Sequence, residues 1–229
     1  MRTFVLGDSH GGFKAFQQVM ERSGFDYEND RLICLGDVSD GWPEVPELIE
    51  EIMKIKNLVM VMGNHDQWLL EWLEFGRNPI IWSEQGGKAT LEAYVNRRPE
   101  LMIPHREFLK KIPYYHLDEH NRLFVHGGVF KHKKLEEHTP EELMWTRGLW
   151  YDRNNSEQKR IMMSRYSEVY VGHTTIWDSS KKPIHYSNVW FMDTGGGWEG
   201  VLSLMDIDSK EVFQSDVVDD LYPGFHGRN

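Results

Sequence analysis

The stretch LICLGDVSDGW, Leu32 to Trp42, is a short apolar run that stops at a glycine and then turns acidic. Short continuous apolar runs bounded by glycine read as strands buried on both faces. This one ends in Asp37 and Asp40, followed by Gly41 and Trp42. Other runs repeat the design. Phe4–Leu6 ends in Gly7-Asp8, Leu58–Met62 in Gly63-Asn64, and Leu123–Val125 in His126-Gly127-Gly128. Val169–Val171 ends in Gly172-His173-Thr174, and Val189–Met192 in Asp193-Thr194-Gly195. Helical patterns at Phe13–Arg22, Pro43–Lys54 and Asn64–Trp72 separate the early runs. Strands alternating with helices predict an α/β fold, whose ligands collect at the carboxyl ends of the strands. Every one of these polar clusters falls there.

From about Phe75 to His120 the strand signature lapses. Helical stretches at Lys88–Val95 and Arg106–Lys111 predict a helical insertion over the sheet edge. Thr139, Pro140 and Glu142 form a helix start, with Thr139 as N-cap and Glu142 completing a capping box. Val201–Met205 and Glu211–Gln214 predict a closing hairpin, and the polar segment 216–229 a loosely held tail. The expected organisation is a single domain over 1–215, with 75–120 as its insertion. At 229 residues, 40% hydrophobic and 13% aromatic, the chain can bury a core. A net charge of −10 argues against general nucleic-acid or membrane-surface binding, which needs a basic face. The lone Cys34 lies in an apolar run and reads as a buried, inert thiol. With no leader-like opening and no membrane-length apolar run, a cytoplasmic protein is expected.

Asp8, His10, Asp37, Asn64, His126 and His173 are all oxygen or imidazole donors at or just past the strand ends. Such a mixed set suits borderline or hard divalent ions, Mn, Fe or Zn, and no thiolate is present to demand a softer one. Six donors exceed the needs of one tetrahedral zinc but suit two adjacent ions sharing a carboxylate, the arrangement that serves phosphoryl transfer.

Gly7-Asp8-Ser9-His10-Gly11, Gly36-Asp37-Val38-Ser39-Asp40-Gly41, Gly63-Asn64-His65-Asp66, His126-Gly127-Gly128 and Gly172-His173-Thr174 resemble the signature blocks of calcineurin-like metallophosphoesterases. They are most similar to the branch holding phage and bacterial Ser/Thr protein phosphatases and symmetrical diadenosine tetraphosphatases. The resemblance implies a four-layer sandwich of two mixed sheets flanked by helices. It implies Asp8 and His10 on a first metal, Asp37 as the bridge, and Asn64, His126 and His173 on a second, with manganese the expected ion. It further implies His65 as the general acid, Asp40 as its orienting carboxylate, and Arg147 as a phosphate-binding arginine helped by Asn64.

One position departs from the pattern. Where the family places a second phosphate-binding arginine, this chain has Gly41, followed by Trp42. Trp42 is expected to pack the start of its helix; the other reading stacks it on a base or aromatic phosphoester. The third block ends in Asp66, where Glu is usual in the family. The basic run Lys131–Lys134 reads either as an edge of the cleft or as a solvated loop, Thr194–Gly197 as a loop that supports the site through its backbone, and Asp193 as structural. The resemblance implies hydrolysis of phosphomonoesters by in-line attack of a metal-bridging hydroxide, on a phosphorylated protein or a small phosphoester. Hydrolysis of diadenosine tetraphosphate or another nucleotide is the second expectation. A metal-binding protein without useful turnover is the third.

Overall fold

The computed structural model describes residues 1–152, 163 and 165–228. Two five-stranded sheets form its centre. In the first, β1 (Thr3–Leu6), β2 (Arg31–Cys34) and β3 (Asn57–Met60) run parallel, joined through α1 (Phe13–Ser23) and α2 (Val45–Ile52). In the second, β4 (Tyr115–Leu117) pairs antiparallel with β5 (Arg122–Val125), which runs parallel to β6 (Glu168–Val171). Then β7 (Ile184–Tyr186) lies antiparallel on β8 (Val189–Phe191), which is parallel to β6. The chain returns to the first sheet as β9 (Ser203–Asp206), antiparallel to β1, with β10 (Val212–Gln214) outside it.

Side-chain alternation explains why the apolar runs are continuous. Phe4, Leu6, Leu32 and Cys34 face the α1–α2 layer, against Phe16, Val19, Leu48 and Ile49. Between them Val5 and Ile33 point the other way, onto Phe124, Tyr170 and Met192 of the second sheet. On that sheet Leu123, Val125, Val169 and Val171 face outward under Leu143 and Leu149. Each central strand thus buries both faces, which gives helix, sheet, sheet, helix. The inter-sheet layer is held by area: Phe124 and Tyr170 stack at 4.9 Å between centroids, and burying each such side chain contributes about 1.5–3 kcal/mol.

After β3 comes α3 (Asn64–Phe75), ended by Gly76 in the left-handed conformation. The short α4 (Ile80–Trp82) leads through a wide turn, kinked at Gln85 and Gly86, into α5 (Lys88–Asn96), followed by α6 (Met102–Leu109). The helical stretch therefore stops at Leu109, and Tyr115–Leu117, expected within the insertion, is an edge strand of the second sheet. Thr139 caps α7 (Pro140–Trp145): its Oγ1 accepts from Glu142 N at 3.3 Å, and Glu142 accepts from Thr139 N at 2.9 Å. The short α8 (Gly148–Asp152) follows. The segment after Ser215 is not loosely held. It forms α9 (Val218–Leu221) and buries Tyr222, whose ring stacks on Trp42 and whose hydroxyl donates to Glu44. No helix among the described residues is long and apolar enough to cross a membrane.

Candidate metal centre

The parallel strands of the two sheets deliver their carboxyl ends to one edge. Asp8 and His10 follow β1, Asp37 and Asp40 follow β2, and Asn64 and His65 open α3 after β3. His126 follows β5 and His173 follows β6. All eight are buried. His10, Asp37, Asp40 and His173 hold positive φ angles of 46°, 50°, 72° and 62°, which is costly for residues with a Cβ. Such strain persists only where surrounding contacts over-determine it, and it concentrates at working sites.

Asp37 lies at the centre. Its Oδ2 is 3.2 Å from His126 Nε2 and 3.7 Å from His10 Nε2, while Oδ1 accepts from His65 N at 3.0 Å. His10, Asp37 and His65 each offer an atom within 4.8 Å of the others, and so do Asp37, His126 and His173. One carboxylate, Asp37, is common to both groups, which suits two adjacent cations. Asn64 Oδ1 lies 3.1 Å from His126 Nε2, and Asp8 Oδ2 accepts from His173 N at 2.9 Å. The site thus brings together all the donors picked from the sequence.

Ring orientation is set from outside the centre. His10 Nδ1 lies 3.0 Å from the Ser39 carbonyl and His126 Nδ1 2.8 Å from that of Leu35. Each Nδ1–H donates there, which leaves both Nε2 atoms facing Asp37. The electrostatics call for cations. Burial opposes charge on Asp37, yet the imidazoles of His126, His65 and His10 hold it well below the usual carboxylate range. Burial disfavours a proton on His126, but Asp37 outweighs it and pushes the imidazole up to about 9. Burial, with the charges of His126 and Arg147, drives His173 down to about 2, so it presents a neutral ring. Burial and the neighbouring Asp193 raise Asp8 well above its ordinary value. Asp8 Oδ1 and His173 Nε2 are buried without a hydrogen-bond partner. Orphaned acceptors beside an electron-rich cluster fit divalent ions.

His65 Nδ1 is 2.7 Å from Asp40 Oδ2, and Asp40 is itself clamped by the insertion. Trp82 Nε1 donates to Oδ2 at 2.7 Å and Thr90 Oγ1 to Oδ1 at 2.7 Å. Arg147 follows α7 and, with His173, lines a cavity of about 520 Å³ also bounded by Trp150, Trp177, Trp198 and Arg228. Trp42 is fully buried: Nε1 donates to the Gly196 carbonyl at 2.7 Å and the ring stacks on Tyr222, so it cannot stack on a base. The basic run stays out of that cavity, with Lys131 and Lys133 paired to Asp152 and Glu142. Sequence reasoning missed Trp82, Thr90 and Arg228, which carry no local motif. Asp193, read as structural, accepts from Gly195 N and Thr175 Oγ1 and also biases Asp8 electrostatically.

Comparison with known proteins points the same way. A symmetrical bis(5'-nucleosyl)-tetraphosphatase of Coxiella burnetii is 28% identical over 56% of the chain and 42% of its own length. The chain thus spans less than half of that curated relative. Its namesake from Buchnera aphidicola is 23% identical over 93% of the chain and 97% of the relative. Among solved structures, a protein provisionally named a diadenosine tetraphosphatase superposes with a TM-score of 0.66 at 16% identity, covering 93% of this chain and 92% of that one. A Saccharomyces cerevisiae protein serine/threonine phosphatase gives 0.63 at 12% identity, covering 100% and 83%. These likenesses show the fold. The family model for calcineurin-like phosphoesterases matches residues 1–197, most of the chain and all of the donor cluster, so the chain belongs to that family.

Proposed function

We propose that the protein is a dinuclear metal-dependent phosphoester hydrolase acting on nucleotide-class phosphoesters. The reaction rests on one observation: a buried His/Asp cluster organised around a shared Asp37 adjoins a cavity that carries Arg147. The donors assigned are Asp8, His10 and Asp37 for one ion, and Asp37, Asn64, His126 and His173 for the other. Two divalent ions there supply Lewis acidity toward phosphoryl oxygens and acidify the attacking water. Arg147 offers a planar pair of donors to the phosphoryl group, a better match than a point charge. His65 donates Nδ1–H to Asp40, which fixes the ring and leaves Nε2 to pass a proton to the departing oxygen. Thr90 and Trp82 keep Asp40 from turning away.

The substrate class rests on the cavity wall. Trp150, Trp177 and Trp198 line the cavity with the two arginines, and Trp177 is 71% exposed, so aromatic surface borders the cavity. A nucleobase can stack there. The names of the bacterial relatives support a dinucleoside polyphosphate. Phosphomonoester hydrolysis of the Ser/Thr protein-phosphatase type is the second reading, favoured by the signature blocks and by the likeness to the yeast phosphatase. A Mn²⁺-supplemented panel of aryl phosphate, phosphoserine and phosphotyrosine peptides, dinucleoside polyphosphates and an aryl diester tests both. Fastest turnover is expected on the dinucleoside polyphosphates. A preference for the phosphoserine peptide would reverse the order, and no turnover on any member would leave a metal-binding protein. His65→Ala is expected to retain its metals and to lose about 10²–10⁴-fold in rate on poor leaving groups, with less loss on the aryl ester. Equal losses on both would remove His65 as the proton donor.

A further inference from the structure

We infer that Arg228, brought back over the site by the segment after Tyr222, is a second phosphate-binding residue of this centre and works opposite Arg147. Arg228 belongs to no motif and is remote in sequence from every donor. Its backbone N donates to the Gly197 carbonyl at 3.0 Å, which anchors it on the loop after β8. The guanidinium lies over the Trp198 ring at 4.9 Å, Nη2 donates to Gln85 Oε1 at 2.8 Å, and Nη1 stands 3.4 Å from His10 Nε2. Nε is buried with no partner. None of the described carboxylates pairs with this guanidinium. A half-buried guanidinium with one buried, unpartnered N–H is suited to take a bound anion. Arg228 and Arg147 line the same cavity.

The surroundings are cut to admit this side chain. Gly41 has a φ of +87°, and a Cβ there would meet Arg228 Cγ at 3.1 Å. A Cβ on Gly197 would meet Arg228 Cδ at 2.8 Å and His10 Cδ2 at 2.4 Å. The arginine missing at position 41 and the arginine present at 228 are thus two sides of one arrangement: the small residue leaves the room that the remote side chain fills. The contact with His10 is consistent with this role. His10 Nδ1–H donates to Ser39, so Nε2 is the acceptor for Nη1–H. A cation on Nε2 would take that lone pair and free Nη1 for an anionic oxygen. Two guanidinium groups on one cavity suit a phosphoryl group with several charged oxygens, or adjacent phosphates of a polyphosphate chain.

The inference rests on the phosphoesterase reading, and calorimetry with inorganic phosphate separates the two. Manganese-loaded wild-type protein is expected to bind phosphate, and Arg228→Gln to bind it about 10- to 100-fold more weakly, the loss of a charge-assisted contact. Manganese stoichiometry and Tm should be unchanged, and Arg228→Lys should recover part of the affinity. On a hydrolysed substrate the variant should raise KM more than it lowers kcat. If the wild type binds phosphate and Arg228→Gln binds it equally, the inference about Arg228 is wrong and the site reading survives. Tighter manganese binding with faster turnover in the variant would also overturn it, marking Arg228 as a competitor of the ion. A wild type that takes up manganese but no phosphate overturns both.

Discussion

Asp66 ends the Gly63–Asp66 block without a chemical role assigned to it, yet it carries the turn on which the centre is built. Its Oδ2 accepts from Asp37 N at 2.7 Å and Gly63 N at 3.2 Å. Its Oδ1 accepts from Val38 N at 3.0 Å, Ser39 N at 3.2 Å and Ser39 Oγ at 3.1 Å. One carboxylate thereby ties the loop after β2 to the start of α3 and holds Asp37 in its positive-φ conformation. Asp66→Ala would strand several buried donors at once and should destabilise the protein by about 3–5 kcal/mol, visible as a lower urea midpoint at unchanged slope. It should also weaken metal binding, because Asp37 would lose its register. A variant of wild-type stability that still binds two ions would show that the turn holds itself. The donors themselves were legible in the sequence because each sits beside a glycine at a strand end. Asp66 could be noticed only as a shorter side chain than expected, and apart from Ser39 Oγ its partners are backbone atoms that no sequence pattern reports.

At the scale of elements, legibility followed burial. The strands β1, β2, β3, β5, β6 and β8 are apolar on both faces and stand out as unbroken runs. The edge strands β4 and β7 went unread: each buries little, and Leu117 and His185 are exposed. Of the two helices, α5 was visible as helical pattern and the short α4 was not, and the purpose of neither was, since it depends on contacts distant in sequence. Both reach across to Asp40, α5 through Thr90 and α4 through Trp82. The insertion therefore holds the carboxylate that pairs with His65. Thr90→Val keeps the shape of α5 and removes the hydroxyl that donates to Asp40 Oδ1 and accepts from Asp40 N at 3.1 Å. Its expected effect is a loss of about 10-fold in kcat on poor leaving groups at unchanged metal content, with Thr90→Ser restoring most of it. A Thr90→Ser variant as slow as Thr90→Val would mean that α5 matters through packing alone.

For the whole molecule, the centre joins two sheets that also meet through an apolar layer and through ion pairs such as Arg122–Asp208 and Lys210–Glu168. Asp8, His10, Asp37 and Asn64 come from the first sheet, His126 and His173 from the second. Across the joint, the hydrophobic layer of Val5, Ile33, Phe124 and Tyr170 supplies affinity without direction, whereas ligands from both sides require one relative placement. Without cations the edge is also electrostatically unfavourable, because burial and Asp193 raise Asp8 while Asp37 is kept ionised beside it. Ions that bind only the folded chain add about 2.7 kcal/mol per site at a hundredfold excess over Kd. For a domain of this size that is worth about 5–10 °C in Tm per site. Scanning calorimetry in manganese and then in chelator should therefore show a large fall in Tm. The transition should stay single in both, since the sheets share their inner layer. Equal Tm values in the two conditions would mean that the donors do not hold ions at working strength. Two resolved transitions in chelator would mean that the ions, rather than the apolar layer, make the two sheets one cooperative unit.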